Sequence, residues 1–236
     1  MYMSGEGVVL KVKPQGRGTF LVCLFTEEYG KVSGLLRGGH KILSAIQLGN
    51  VVEFEHTRRL ESQLGALTLD VLYTPSALAF TNVFRMQALQ YLCEVLLVSL
   101  REEESHPMLY AATKTFLKEI HLDGLWERLG NYELQFLSSI GYGLSLCESQ
   151  AVRHDNDTSP LYYVSPKSGR AVSKMAGTPY KDKILRLPAI FGGKSKDLLD
   201  VFQLTGHFLE VALEGRPLQA RIDLIQNAKQ TGFSEI

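Results

Sequence analysis

The sequence predicts an α+β protein, a small five-stranded β-barrel at the N-terminus followed by an α-helical domain. Two observations carry that expectation. The first 75 residues are short β-type runs separated by glycine, and after Thr74-Pro75 the apolar residues change to helical spacing. A third observation sets the scale: 236 residues, 45% hydrophobic and 21% charged, suffice to bury a real core and approach the upper edge of one domain. The expected division is a barrel over 1–78 and a helical part over 79–236, the latter containing an irregular basic loop at about 148–196.

Strands are expected at Gly7–Lys13, Thr19–Thr26, Lys31–Arg37, Val51–Arg58 and Leu64–Tyr73, with "PQGRG" and "EEYG" as the first two turns. So many short strands in so short a stretch favour a closed or partly open barrel, because a sheet that curls on itself removes its own edges. In the first strand, alternation places Val8, Leu10 and Val12 on one side and Lys11 and Lys13 on the other. The segment "ALAFTNVFRMQALQYLCEVLLVSL" reads as one largely buried helix, with Phe84, Ala88, Tyr91, Leu92, Val95 and Leu96 on a wide apolar face, ended by "EEESHP". Further helices fit Met108–Ile120, Leu125–Ile140, Asp197–Glu214 and Leu218–Lys229. Between them, "HDNDTSP", "SPKSG", "AGTP" and "GGK" are turn-forming, and an irregular connection of that length is functional or mobile as a rule.

Charge is partitioned. The formal net charge is zero, but residues 1–60 carry +3, 61–165 carry −7 and 166–236 carry +4. A polyanion would therefore be met by a local patch, not by the molecule as a whole. The three cysteines, Cys23, Cys93 and Cys147, are far apart and form no C-x-x-C pair, which argues against a disulfide framework. No apolar run reaches the length of a membrane span, and the start lacks a basic segment followed by an apolar one. A soluble protein of a reducing compartment, the cytoplasm, is expected.

Two basic regions are candidate binding surfaces. In "GKVSGLLRGGHK", Lys31, Ser33, Leu35 and Arg37 share one strand face and Val32, Gly34 and Leu36 the other, so the bases are expected to project outward. Gly34 would allow close backbone approach, and Gly38-Gly39 would present bare N–H groups. Lys11, Lys13, Arg17, His40, Lys41, Arg58 and Arg59 would extend this surface, with Phe25 and Tyr29 as stacking rings for single-stranded bases or, for Phe25, as core. The second region is denser: over 166–196, Lys167, Arg170, Lys174, Lys181, Lys183, Arg186, Lys194 and Lys196 face only Asp182. Bases on a loop follow a phosphate backbone, grip an acidic peptide, or simply keep the loop solvated.

Catalytic and metal signatures are weaker. Cys147, His154, Asp155 and Asp157 lack the paired spacing of a zinc knuckle, and His207 with Glu210 reads as a surface pair one turn apart. There is no G-x-S-x-G, H-E-x-x-H or Walker-type loop, so neither a hydrolase nor a nucleotide-driven motor is indicated.

The order of "GVVLKVKPQGRGTFLVCLFTEEYGKVSGLLRGGHK", "YELQFLSSIGYGLSLC" and "YYVSPKSGRAVS" resembles the bacterial recombination mediator RecO family over nearly the whole chain. The resemblance implies an N-terminal OB-fold and a helical domain, and a protein that is not an enzyme and needs no cofactor. It further implies binding of single- and double-stranded DNA, annealing of complementary strands, and, with RecR, loading of RecA onto DNA coated with single-strand-binding protein, whose C-terminal tail is a further partner. The protein would be cytoplasmic and nucleoid-associated when bound to DNA. Many members of the family carry a four-cysteine zinc site. Here Cys147 holds the first position, Gln150 stands at the second, and Ser173 and Ala176 lie near the remaining pair, so no zinc is expected and packing of Leu161, Tyr162, Tyr163 and Val164 should hold the loop instead. An alternative of another class is an OB-fold adaptor that binds protein and uses its basic loop for an acidic partner without touching DNA.

Overall fold

A computed structural model describes residues 1–16, 18–38, 42, 46–60 and 64–233. The chain forms two compact units. The first comprises Met1–Asp123 and Leu218–Ala228; the second comprises Gly124–Pro217 and Lys229–Ser234.

In the first unit, β1 (Tyr2–Gly16), β2 (Thr19–Thr26), β3 (Gly30–Arg37), β4 (Val51–Thr57) and β5 (Gly65–Tyr73) close a barrel in the order β1-β2-β3-β5-β4. All neighbours are antiparallel except β3 and β5, whose short parallel seam runs from Gly34↔Gly65 to Leu36↔Leu67. This is an OB-fold. Val9, Val22, Leu24, Val32, Leu36, Val52, Phe54, Leu67 and Leu69 fill its interior, as period-2 alternation requires.

Alternation in β1 departs from the expectation in one respect. Its register against β2 runs Val9↔Leu24 and then Lys11↔Cys23, so Leu10 is an extra residue, a β-bulge. Before the bulge the odd positions Met3 and Val9 point inward; after it Val12 does. Val8, Leu10 and Val12 therefore do not share a face, and β1 begins at Tyr2 instead of Gly7 because its first half pairs with β4 from Tyr2↔Thr57 to Val8↔Val51.

The seam explains two glycines. His56 faces inward with Val52 and Phe54 and is only 1% exposed. A Cβ on Gly65 would lie 2.2 Å from His56 Nε2, and one on Gly34 would lie 2.7 Å from Leu67 Cγ and 3.0 Å from the imidazole. Gly34 thus makes room for side chains of β4 and β5 where a close backbone approach was expected.

The barrel is covered by helices in the same unit. The single helix expected after Thr74 is two, α1 (Pro75–Ala79) and α2 (Val83–Ser99), because Asn82 intervenes as an N-cap: its Oδ1 accepts from the N–H groups of Phe84 (2.9 Å) and Arg85 (3.1 Å). The α2 Cys93 thiol donates to Val9 O over 3.6 Å, and burial pushes its pKa up to about 12. In α3 (Pro107–Lys118), the Tyr110 ring meets Phe25 edge to face at 5.4 Å. The last helix of the chain, running over Gln219–Gln230, starts on Glu94, whose two carboxylate oxygens accept from Gln219 N and Ala220 N.

The second unit pairs α4 (Leu125–Ser139) with a helix at Leu198–Ala212, where a Cβ on Gly130 would lie 2.5 Å from Val201. Trp126, Phe202 and Phe233 pack edge-on and stacked beside them. The segment expected as an irregular loop is ordered: β6 (Leu161–Val164), β7 (Ala171–Ser173) and β8 (Leu185–Arg186) form a sheet in the order β7-β6-β8, with α5 (Lys174–Gly177) between β7 and β8. The helices above are then α6 (Leu198–Ala212) and α7 (Gln219–Gln230). Tyr163, Val172 and Ala176 form its small core with Tyr162 and Ile184. A polar tie adds to this packing. Asp157, 8% exposed, accepts from Ser159 N (2.8 Å), Ser159 Oγ (2.6 Å) and Ser173 Oγ, and these donors hold its carboxyl well below the usual range, at about 2.

Candidate nucleic-acid interface

The bulge at Leu10 turns Lys11 and Lys13 outward, and both are exposed. Register extends their rows across the sheet: Lys11 lies beside Cys23 and then Ser33, Lys13 beside Leu21 and then Leu35, and Arg37 is opposite Thr19. Strands lie about 4.8 Å apart. Lys11, Lys13 and Arg37 thus frame one outer face of β1-β2-β3 with half-buried Thr19, Leu21 and Leu35 between them. Arg59 is exposed just past β4. Arg17, His40 and Lys41, expected to extend this face, lie outside the described residues, as does Gly39.

Lys31 does not project into solvent. It is 8% exposed, and its Nζ donates to Leu97 O over 2.9 Å in the last turn of α2, where carbonyls lack intrahelical donors. The expectation of an outward base here fails because strand periodicity cannot see a helix end arriving from 66 residues away. Arg58 is likewise committed, its guanidinium 2.6 Å from Glu103 Oε1 with 10% of the side chain exposed. Ser33 Oγ donates to Glu102 Oε1 at 3.3 Å. Of the two stacking candidates, Phe25 is fully buried beneath Tyr110. Tyr29 packs edge-on against Phe54 at 6.5 Å and lines a cleft of about 540 Å³ with Glu6, Glu27, Glu28 and Lys114, away from the basic rows.

In the second unit Lys167, Arg170, Lys174, Lys181, Lys183, Arg186, Lys194 and Lys196 are all exposed, the first six on the small sheet and its connections and the last two between β8 and α6. Three of them carry internal contacts: Arg170 Nε donates to Gln150 O (2.7 Å), Lys174 Nζ sits 5.7 Å above the Tyr162 ring, and Arg186 is 4.0 Å from Asp200 Oδ2. His207 Nε2 is 3.2 Å from Pro166 O, which ties the helix to the β6–β7 turn. Cys147 is exposed beside Ser149 Oγ at 3.3 Å, and hydrogen bonding to that hydroxyl lowers its pKa. No group of three or more His, Cys, Asp or Glu able to hold a metal ion occurs among the described residues, and Ser173, near the second pair of thiolate positions, joins the Asp157 tie instead.

Two family models cover the chain. One described as Recombination protein O N terminal matches residues 1–73, and one described as Recombination protein O C terminal matches residues 81–222. The chain belongs to the RecO family. Proteins named DNA repair protein RecO are similar along most of its length: 37% identical in Beijerinckia indica (89% of this chain, 86% of the relative), 33% in Rhodospirillum centenum (89% and 86%) and 34% in Granulibacter bethesdensis (95% and 94%). The two RecO models divide the chain close to the end of β5, whereas the first compact unit continues through α1–α3 to Asp123. No helix among the described residues is long and apolar enough to cross a membrane.

Proposed function

We propose that this protein works in recombinational DNA repair as a DNA-binding mediator without catalytic activity of its own. One observation carries the reading: a RecO-family OB barrel whose bulged first strand presents Lys11 and Lys13 on the same outer face as Arg37. Lysine and arginine on a face that shows no exposed aromatic ring among the described residues neutralise phosphates without reading bases, which suits two complementary strands brought together in any sequence. Single- and double-stranded DNA are both substrates for such a surface. The exposed bases of the small sheet, Lys167, Arg170, Lys174, Lys181, Lys183 and Arg186, form a second basic surface that supports binding of an acidic tail, that of single-strand-binding protein. In the full reading the protein acts with RecR to help load RecA in the cytoplasm.

The test is a salt-titrated binding measurement on the full chain with unrelated single-stranded oligonucleotides. Affinity is expected to fall steeply with salt and to change little with sequence, and alanine at Lys11, Lys13 and Arg37 should flatten the slope. A salt-independent affinity, or a strong preference for one sequence, overturns the reading.

A further inference from the structure

Residues 101–105, "REEES", follow α2 and run along the edge of β3 within the first unit. Glu102 forms a parallel bridge with Lys31, Glu103 N donates to Lys31 O (3.1 Å), Ser33 Oγ donates to Glu102, Arg58 pairs with Glu103, and Ser105 Oγ donates to Glu27 O (2.8 Å). The approach is close enough that a Cβ on Gly30 would lie 2.0 Å from Glu104 O, and Gly30 itself takes φ +63°. Glu103 has φ 56°, a left-handed conformation that a non-glycine residue adopts at a cost, with its N–H on Lys31 O and its carboxylate on Arg58. Two of the three consecutive carboxylates therefore lie on Ser33 and Arg58, and the third, Glu104, lies 3.7 Å from His106 Nε2.

We propose that this acidic strap is an internal substitute for the nucleic-acid backbone: it occupies the β3 part of the binding face in the free protein, and a single strand displaces it to reach Ser33 and Arg58. The proposal rests on the DNA-binding reading above. Its physical basis is charge. Glu102 on Ser33 and Glu103 on Arg58 stand where phosphates would, Glu103 competes for Arg58, and with Glu104 they add three negative charges that oppose DNA bound on Lys11, Lys13 and Arg37. Lys31 takes no part, since its ammonium stays on the α2 terminus.

Binding of fluorescein-labelled oligo-dT is measured at low salt for the wild type, for the triple variant Glu102→Gln, Glu103→Gln, Glu104→Gln, for Arg58→Ala, and for both together. The triple variant should bind roughly three- to tenfold more tightly at ~50 mM salt, with the gain shrinking as salt screens the charges. Arg58→Ala should cost more in the triple-variant background than in the wild type, a non-additivity that a purely structural strap does not produce. On the wild-type protein, amide exchange at Glu103 should accelerate when oligo-dT is added. If the wild type binds but the triple variant is no tighter, the Arg58 effect is additive and Glu103 stays protected, the strap proposal falls and DNA binding stands. If neither protein binds, both fall.

Discussion

The barrel has two outer faces that share one strand and carry opposite charge. On β1-β4-β5, Glu6 is directly opposite Glu53, Glu53 is opposite Asp70, and Glu55 lies between Ser4 and Thr68. On β1-β2-β3 the corresponding rows hold Lys11, Lys13 and Arg37. Carboxylates placed directly across a sheet repel one another, a repulsion that the ion pair of Lys114 with Glu6 offsets in part. The bulge at Leu10 is what separates the two: outward positions are even before it and odd after it, so Tyr2, Ser4 and Glu6 belong to the acidic face and Lys11 and Lys13 to the basic one. One extra residue lets a single strand serve a basic face and an acidic one.

The largest effect expected from this contrast is on binding. Reversing Lys11, Lys13 and Arg37 to Glu should lower single-strand affinity on the order of a hundredfold or more at low salt, whereas reversing Glu53 and Glu55 to Lys should leave it unchanged or raise it. Equal losses from both faces, measured by fluorescence anisotropy, would show that the two faces do not differ towards DNA.

Next in size is the seam where the two faces join. Gly65→Ala would drive a methyl into His56 and should destabilise the protein by about 1–3 kcal/mol by urea unfolding, with Ala66→Gly, one residue along and exposed, as the milder control. His56 itself is held neutral: burial, then the Arg58 charge, lowers its pKa below the ordinary 6.5. The unfolded chain therefore takes up a proton below pH 6.5 that the native barrel refuses, so stability should decline as pH falls through that range. His56→Gln should remove that part of the decline.

The second unit gives a sharper acid dependence of opposite cause. Asp157 has a carboxyl held at about 2 by Ser159 and Ser173, against an ordinary 3.8. Its contribution is complete above the ordinary value and is lost as pH falls from about 4 towards 2. Asp157→Asn should lower the melting temperature at pH 7 and flatten the acid limb below pH 4, followed by circular dichroism. The smallest effect returns to the acidic face: Glu53→Gln should relieve two cross-strand repulsions and stabilise by about 0.2–1 kcal/mol, a gain that salt erases in the wild type.

Strand and helix spans were largely legible. Thr19–Thr26 needed no correction, and β3, β4 and β5 each end at, or within one residue of, the expected bounds. The misses have local causes with non-local consequences. Asn82 reads as an ordinary polar residue within a helical pattern, yet "TN" before an apolar run is a cap signal that would have split the helix. The bulge was invisible because Val8, Val9 and Leu10 are all apolar, and an unbroken apolar run fixes no alternation. The basic sheet of the second unit read as loop because strands of two to four residues carry too few positions to show a period.

The sequence by itself determined the barrel-then-helices order, the basic and acidic partition, and the lack of a zinc ligand set, because period, charge and residue type are properties of neighbouring positions. Tertiary structure alone decided which bases are open. Lys31 and Lys13 stand on strand faces that look alike in sequence, but one meets the end of α2 and the other meets solvent. Burial of a charged side chain depends on what the chain brings back from many residues away, here a helix terminus and the acidic segment behind it, and no local pattern encodes that return.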